Sequence, residues 1–171
     1  MHEQDKSTGV VRTHQDHYAA KLRPMAADSI RHAADDAEVG EEMQAQYWSL
    51  LGGVAWMGVV RADIAVYVQY LQRHAHSPRA KHVRDLNKLT KYVKRTPCEL
   101  VYKAVKNPEK VWIFADSAFK ASEPDCLALR AAIITLGSSE GPRGDHQVLD
   151  FYSRKLATVA RSTFSAELQG M

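Results

Sequence analysis

The chain has 171 residues, 45% apolar and 25% charged, a mix that fits one ordinary domain or two small ones and excludes a disordered tail. No apolar run reaches the length of about 18 residues that a membrane span requires, and the opening Met1-His-Glu-Gln-Asp-Lys6 has no apolar segment, so an intracellular, unsecreted protein without membrane contact is expected. A formal net charge of +3 is too small to name an anionic partner. Cys98 and Cys126 form neither a CxxC motif nor a Cys/His spacing, so both read as ordinary thiols.

In chain order, residues 26–46 come first. There Asp28, Asp35, Asp36, Glu38, Glu41 and Glu42 face Arg31 in an alanine-rich stretch without an apolar stripe, which reads as a solvated acidic linker. Residues Tyr47 to Val60 are apolar nearly all round, as in a buried helix, and their glycines would let a neighbour approach closely. In Ala62 to His74 the residues Ile64, Ala65, Val68 and Leu71 mark a helix with one buried face, and Asp63 falls in its first turn, where a negative charge suits the helix dipole.

Ser77-Pro78 predicts the start of a third helix, serine as N-cap and proline at the first helical position. Val83, Leu86, Thr90 and Val93 line one side of it. Lys81, Arg84, Lys88, Lys91 and Arg95 cluster opposite that side at about 100° per residue. A stripe of one sign costs self-repulsion that an anionic partner would relieve, so these five are the candidate nucleic-acid-binding residues, while a solvated helix face remains the plainer alternative.

Beyond Pro97 the pattern shifts to short apolar runs. Leu100-Val-Tyr102, Val111 to Ala115, Leu127 to Leu136 and Val148 to Ser153 read as strands, with turns at Asn107-Pro108, Glu123-Pro124-Asp125 and Ser138 to Asp145. Successive strands imply an antiparallel meander, followed by a helix from about Ser162. The expected fold class is therefore mixed α/β (α+β): helices first, then three antiparallel strands and the start of a helix. Asp116 ends the Val111 run and Glu167 lies in the first turns of the last helix; a strand-end turn residue and a surface acid are the plain readings of these two.

Three stretches carry a family resemblance. Tyr47-Trp-Ser-Leu-Leu-Gly-Gly-Val-Ala-Trp-Met57 with Arg61-Ala-Asp-Ile-Ala65 is similar to Y-x-S-L-L-G-x-L-x-W-L followed by R-P-D-I-A. Ser77-Pro78, His82, Tyr92-Val93 and Thr96-Pro97 match a spaced S-x-P, H, Y-L and T-P pattern. Ser153-Arg-Lys-Leu-Ala-Thr-Val-Ala-Arg-Ser-Thr-Phe-Ser-Ala-Glu167 is like S-K-K-Q-x-x-V-A-x-S-x-T-E-A-E. In this order they resemble the polymerase polyprotein of copia-type LTR retrotransposons, from the end of its reverse transcriptase into its ribonuclease H. The segment His14 to Leu22 is similar to a Q-x-x-Y-x-x-x-L-L motif near the end of the palm.

The resemblance implies three segments: residues 1–43 as the end of the palm and an acidic linker, 44–97 as a helical thumb or connection region, and 98–171 as the truncated N-terminal part of a ribonuclease H-like domain. It also implies that Asp116 and Glu167 are catalytic metal ligands for Mg²⁺ or Mn²⁺ in two-metal cleavage of the RNA strand of an RNA/DNA hybrid. The family's later acidic ligands lie on strands that would follow Met171, and no Y-x-D-D strand occurs, so a fragment is expected, inactive alone and at most binding nucleic acid or the rest of the polyprotein. Ala62 stands where the family has proline, Ala118 where it often has a second aspartate, and Ala128-Leu-Arg-Ala131 where it has S-T-S-G. A non-catalytic nucleic-acid-binding or scaffold module derived from a retroelement is the alternative. A third possibility is a decayed product that leaves Ile133, Leu149 and Phe151 exposed.

Overall fold

The computed structural model describes residues 1–105, 108–118, 128–138, 143–157 and 162–170. Most of the expected turns after Pro97, Cys126 and residues 158–161 of the third motif lie outside these. The chain divides into two compact units. One is helical and runs from Thr13 to Glu99, together with Met1; the other takes His2–Arg12 and Leu100–Met171.

The helical unit contains α1 (Asp16–Lys21), α2 (Glu41–Trp56), α3 (Ala65–Arg73) and α4 (Ala80–Arg95). Single 3-10 turns at Met57–Val59 and Ala62–Ile64 join α2 to α3. Glu41 and Glu42 open α2, where negative charge offsets the helix dipole. Of α2 only one face is buried, through Tyr47, Leu50, Leu51 and Val54, whereas Trp48 and Trp56 are exposed. This corrects the expectation of a helix buried all round: a continuous apolar run does not reveal which side meets the core. The glycines also divide. A Cβ on Gly53 would come within 3.0 Å of Leu22 and 3.2 Å of Tyr18, so it admits the α1 segment, while Gly52 and Gly58 face open space.

The core of this unit includes Val68 and Leu71 from α3 and Val83, Leu86 and Val93 from α4, the sides that periodicity assigned. Thr90 is buried with them, and its hydroxyl donates to the Leu86 carbonyl at 2.8 Å. Tyr47 reaches across to donate to the Leu71 carbonyl at 2.9 Å, and burial raises its pKa.

The acidic stretch is not a free linker. Met25 and Ile30 belong to the core, and both groups of Asn87 bind the backbone of Met25, at 2.8 and 3.0 Å. Residues 35–38 lie as a strap across the start of α4. The Asp35 and Ala37 carbonyls accept from the N–H groups of Lys81 and Ala80, the donors that a helix start leaves unsatisfied. Glu38 pairs with Arg79 at 2.7 Å, and Asp35 with Arg84. Because the strap supplies these caps, α4 begins at Ala80 and not at Ser77-Pro78. Its N-cap Arg79 donates its backbone N–H to His82 Nδ1 at 2.9 Å.

The second sheet-forming region departs from the expected single meander. Glu99–Tyr102 (β3) joins a three-stranded sheet of order β1-β2-β3 with two short strands, His2–Gln4 (β1) and Val11–His14 (β2), that the sequence reading missed. Asp5 organises the β1–β2 turn. Its carboxylate accepts from Ser7 Oγ at 2.6 Å, Ser7 N at 2.8 Å and Thr8 Oγ1 at 2.7 Å, and the Ser7 hydroxyl is the main cause that draws its pKa down to about 2. Gly9 has φ +70°, a conformation glycine adopts without strain.

The expected three antiparallel strands and helix are present as β4 (Pro108–Ala118), β5 (Leu129–Ser138), β6 (His146–Lys155) and α5 (Thr163–Gly170), in sheet order β4-β5-β6. Val111 faces Leu136 and Ile113 faces Ile134 across β4 and β5, β-branched and leucine pairs that suit a pleated sheet. Between β5 and β6 the register slips at Ile134/Thr135. The mixed α/β class holds. No helix among the described residues is long and apolar enough to cross a membrane.

Candidate nucleic-acid interface

The five candidate cations on α4 do not share one role. Arg84 is a structural clamp: its guanidinium donates to the Ile30 carbonyl at 2.8 Å, to that of Ala33 at 3.2 Å and to Asp35. Lys81 is half-buried, whereas Lys88, Lys91 and Arg95 are exposed. Lys88 also meets Asp85 at 3.0 Å on the same helix, an exposed pair that contributes little. Lys94, outside the stripe, donates to the Leu22 carbonyl at 2.7 Å and that of Ala20 at 3.3 Å. The part of the stripe offered to a ligand is therefore the ridge Lys88, Lys91 and Arg95.

Beside this ridge lies a network that the sequence reading did not assemble. Arg61 is only 2% exposed and grips Asp63 with two bonds, Nε to Oδ1 at 2.8 Å and Nη2 to Oδ2 at 2.7 Å. Its other contacts run to the backbone carbonyl of Thr96 and to Thr96 Oγ1, the latter at 3.0 Å. The Tyr92 hydroxyl donates to Asp63 Oδ2 at 2.9 Å, and the Arg61 guanidinium sits 5.3 Å from the Tyr92 ring centroid. A planar guanidinium matches a carboxylate in this two-bond geometry. The Arg61 hydrogen bond holds the Asp63 carboxyl below the usual carboxylate range, and Asp63 in return pushes the Arg61 pKa up. The signal for Asp63 was the R-x-D spacing, which its reading as a dipole residue did not use.

A groove of 680 Å³ runs between α3 and α4, with Leu71 and Leu89 in its lining and Tyr67, Tyr92 and Lys88 along it. Nearby, Tyr70, His74 and His82 form an aromatic cluster, with the two imidazoles stacked 4.1 Å apart. His82 is 3% exposed and its Nε2 has no hydrogen-bond partner among the described residues. Burial, then the neighbouring His74, brings its pKa down to about 4.

The candidate metal ligands lie in the other unit. Asp116 is exposed, faces the exposed Ala131 across the sheet, and accepts from the Ser117 N–H at 2.9 Å. The neighbouring cross-strand pair, Ser117 and Arg130, is half-buried, and Arg130 reaches the Gln169 carbonyl of α5 at 3.4 Å. Successive side chains of a strand point to opposite faces, so Asp116 points away from the face that α5 covers. Glu167 is exposed on α5, next to the buried Ala166. The structure thus sets α5, which carries Glu167, against the sheet that carries Asp116. Among the described residues no three His, Cys, Asp or Glu side chains converge to hold a metal ion.

No family model matches the chain, and no solved structure gives a significant match. Two curated proteins do. The retrovirus-related Pol polyprotein from transposon RE1 of Arabidopsis thaliana is 22% identical over 126 residues, and that from transposon RE2 of the same plant is 21% identical over 126 residues. Each match takes in 74% of this chain and spans 8% of the length of the relative. The similarity supports an origin of this chain in a retrotransposon polyprotein.

Proposed function

We propose that the chain is a segment of a copia-type LTR retrotransposon polymerase polyprotein, reaching from the end of the reverse transcriptase into the start of the ribonuclease H, and that its own work is to hold nucleic acid along α4. The single observation that carries the reading is the Arg61 network. Arg61 and Asp63 belong to one stretch of the resemblance and Tyr92 and Thr96 to another, and the four side chains meet through direct hydrogen bonds. Separate stretches that answer each other in this way support one inherited structural unit. Reverse transcription and cleavage of the RNA strand belong, in this proposal, to the parent polyprotein.

A Mg²⁺ or Mn²⁺ ion would need oxygen ligands that converge. Asp116 and Glu167 alone are two carboxylates, fewer than a two-ion site needs, so hydrolysis by this chain alone is not expected. The ridge is different. Lys88, Lys91 and Arg95 are positioned for a phosphate backbone, and such contacts make affinity fall with salt.

The test is binding of a labelled RNA/DNA hybrid over a salt series, with Lys88→Ala/Lys91→Ala beside the parent chain. Loss of the two charges should weaken binding and flatten the logarithmic salt slope by about 1 per lysine. An unchanged slope removes α4 from the proposal. Incubation of the same hybrid with Mg²⁺ or Mn²⁺, beside Asp116→Asn, should yield no cleavage; cleavage lost in the variant would show a working acidic site. A second reading, a non-catalytic scaffold that contacts protein, draws on the exposed Val111, Ile113, Leu149, Phe164 and Leu168, since grouped apolar surface marks contact sites.

A further inference from the structure

We infer that the groove between α3 and α4 is a stacking site for the bases of single-stranded nucleic acid whose phosphates run along the neighbouring ridge. The inference rests on the α4 reading above and names the form of nucleic acid that this site takes. Tyr92 is 44% exposed although its hydroxyl is already bonded to Asp63. Its ring borders the groove. Arg61 lies against the same ring, and its two bonds to Asp63 help fix the orientation of the tyrosine before any ligand arrives. Across the groove Tyr67 is 58% exposed, and Leu71 and Leu89 supply apolar lining.

The ridge beside the groove points to the occupant. The groove's own charges are answered locally, Asp63 by Arg61 and Asp85 by Lys88; one and two turns beyond Lys88 on the same side of α4 stand Tyr92 and the exposed Arg95, with the exposed Lys91 flanking them. Exposed aromatic rings beside a line of cations are the pairing by which proteins hold single strands: every base has a π face to stack, and the backbone follows the positive edge. In a duplex the bases are already stacked on one another and offer no such faces.

The test uses the full chain and a fluorescein-labelled thymidine oligomer of about 15 nucleotides, with an abasic oligomer of equal length and a duplex as comparisons. Tyr67→Ala should weaken binding of the thymidine strand roughly ten-fold, leave the salt slope unchanged and be rescued by Tyr67→Phe. The abasic strand, which can stack on neither tyrosine, should bind the parent chain more weakly than the thymidine strand binds Tyr67→Ala. Circular dichroism checks that this substitution of an exposed side chain leaves the fold intact. Equal affinity for abasic and thymidine strands, an unchanged affinity in Tyr67→Ala, or preference for duplex would overturn the stacking site and leave the ridge standing. A folded chain that binds none of the three would overturn the underlying nucleic-acid reading as well. Loss of self-association in Tyr67→Ala, with nucleic-acid affinity untouched, would assign the groove to a second copy of the chain.

Discussion

The helical unit and the sheet unit spend similar side chains differently. In the helical unit Tyr47, Val54, Ile64, Leu71, Val83 and Leu86 are enclosed, because each helix turns one stripe toward the others. In the sheet unit the buried apolar cluster is Ala128, Leu156 and Ala166, while Val111, Ile113, Ile133 and Leu149 stay exposed. A sheet has two faces to cover and α5 lies on part of one. Apolar content alone therefore does not make a core; the number of layers does. Of the three side chains that a decayed product would leave exposed, Ile133 and Leu149 are exposed and Phe151 is half-buried.

Substitutions can break this contrast, and the largest effect belongs to the helical unit. Asp63→Ala strands the buried Arg61 charge, a change that costs about 3 kcal/mol or more of stability, read as a shift in the urea midpoint. A loss under about 1 kcal/mol would mean that Thr96 suffices to hold the guanidinium. Leu86→Ala removes a fully enclosed side chain and should cost about 2 to 5 kcal/mol by the same measurement.

Acid sharpens the contrast next. His82 accepts a backbone hydrogen bond at Nδ1 and has its other nitrogen buried, among Tyr70, His74, Lys81 and Asp85. Its pKa of about 4 in the fold lies below the ordinary 6.5, so the unfolded chain binds the proton more readily. Its contribution is complete above pH 6.5 and is lost as pH falls toward 4, by about 3 kcal/mol across that range. Urea unfolding at several pH values should show this slope, and His82→Asn, whose oxygen can stand in for Nδ1, should flatten it. An identical slope in the variant would assign the acid sensitivity elsewhere. The smallest effect is expected in the sheet: Ile113→Thr, at a position 64% exposed, should alter stability by less than about 0.5 kcal/mol and reduce aggregation followed by light scattering.

Local patterns made part of this molecule legible. The buried side of α4 followed from the period of Val83, Leu86, Thr90 and Val93, and three strands of the sheet followed from short apolar runs. The strap was illegible because its partners are distant: Glu38 and Asp35 look like solvated acids until Arg79 and Arg84, more than 40 positions along, close on them. The strands β1 and β2 were missed because they are short and mostly polar. Spacing could put Asp116 on a strand and Glu167 on a helix, but the side each presents depends on the parity of the pleat and the rotation of the helix, and a slip of one residue reverses the first. The Arg61 network was half legible, since its members sit in the stretches that carry the resemblance, though nothing in their spacing says they touch.

The placement of the tryptophans has a practical consequence. Trp48 and Trp56 report from α2 in the helical unit, both exposed, with the Trp48 indole N–H bonded to the Ala75 carbonyl. Trp112 reports from β4, half-buried beside His146. Intrinsic fluorescence thus carries a separate channel for each unit. With Trp112→Phe the emission follows the helices alone, and with Trp48→Phe/Trp56→Phe it follows the sheet, so a single denaturation experiment on each variant tells whether the two units melt together or one after the other.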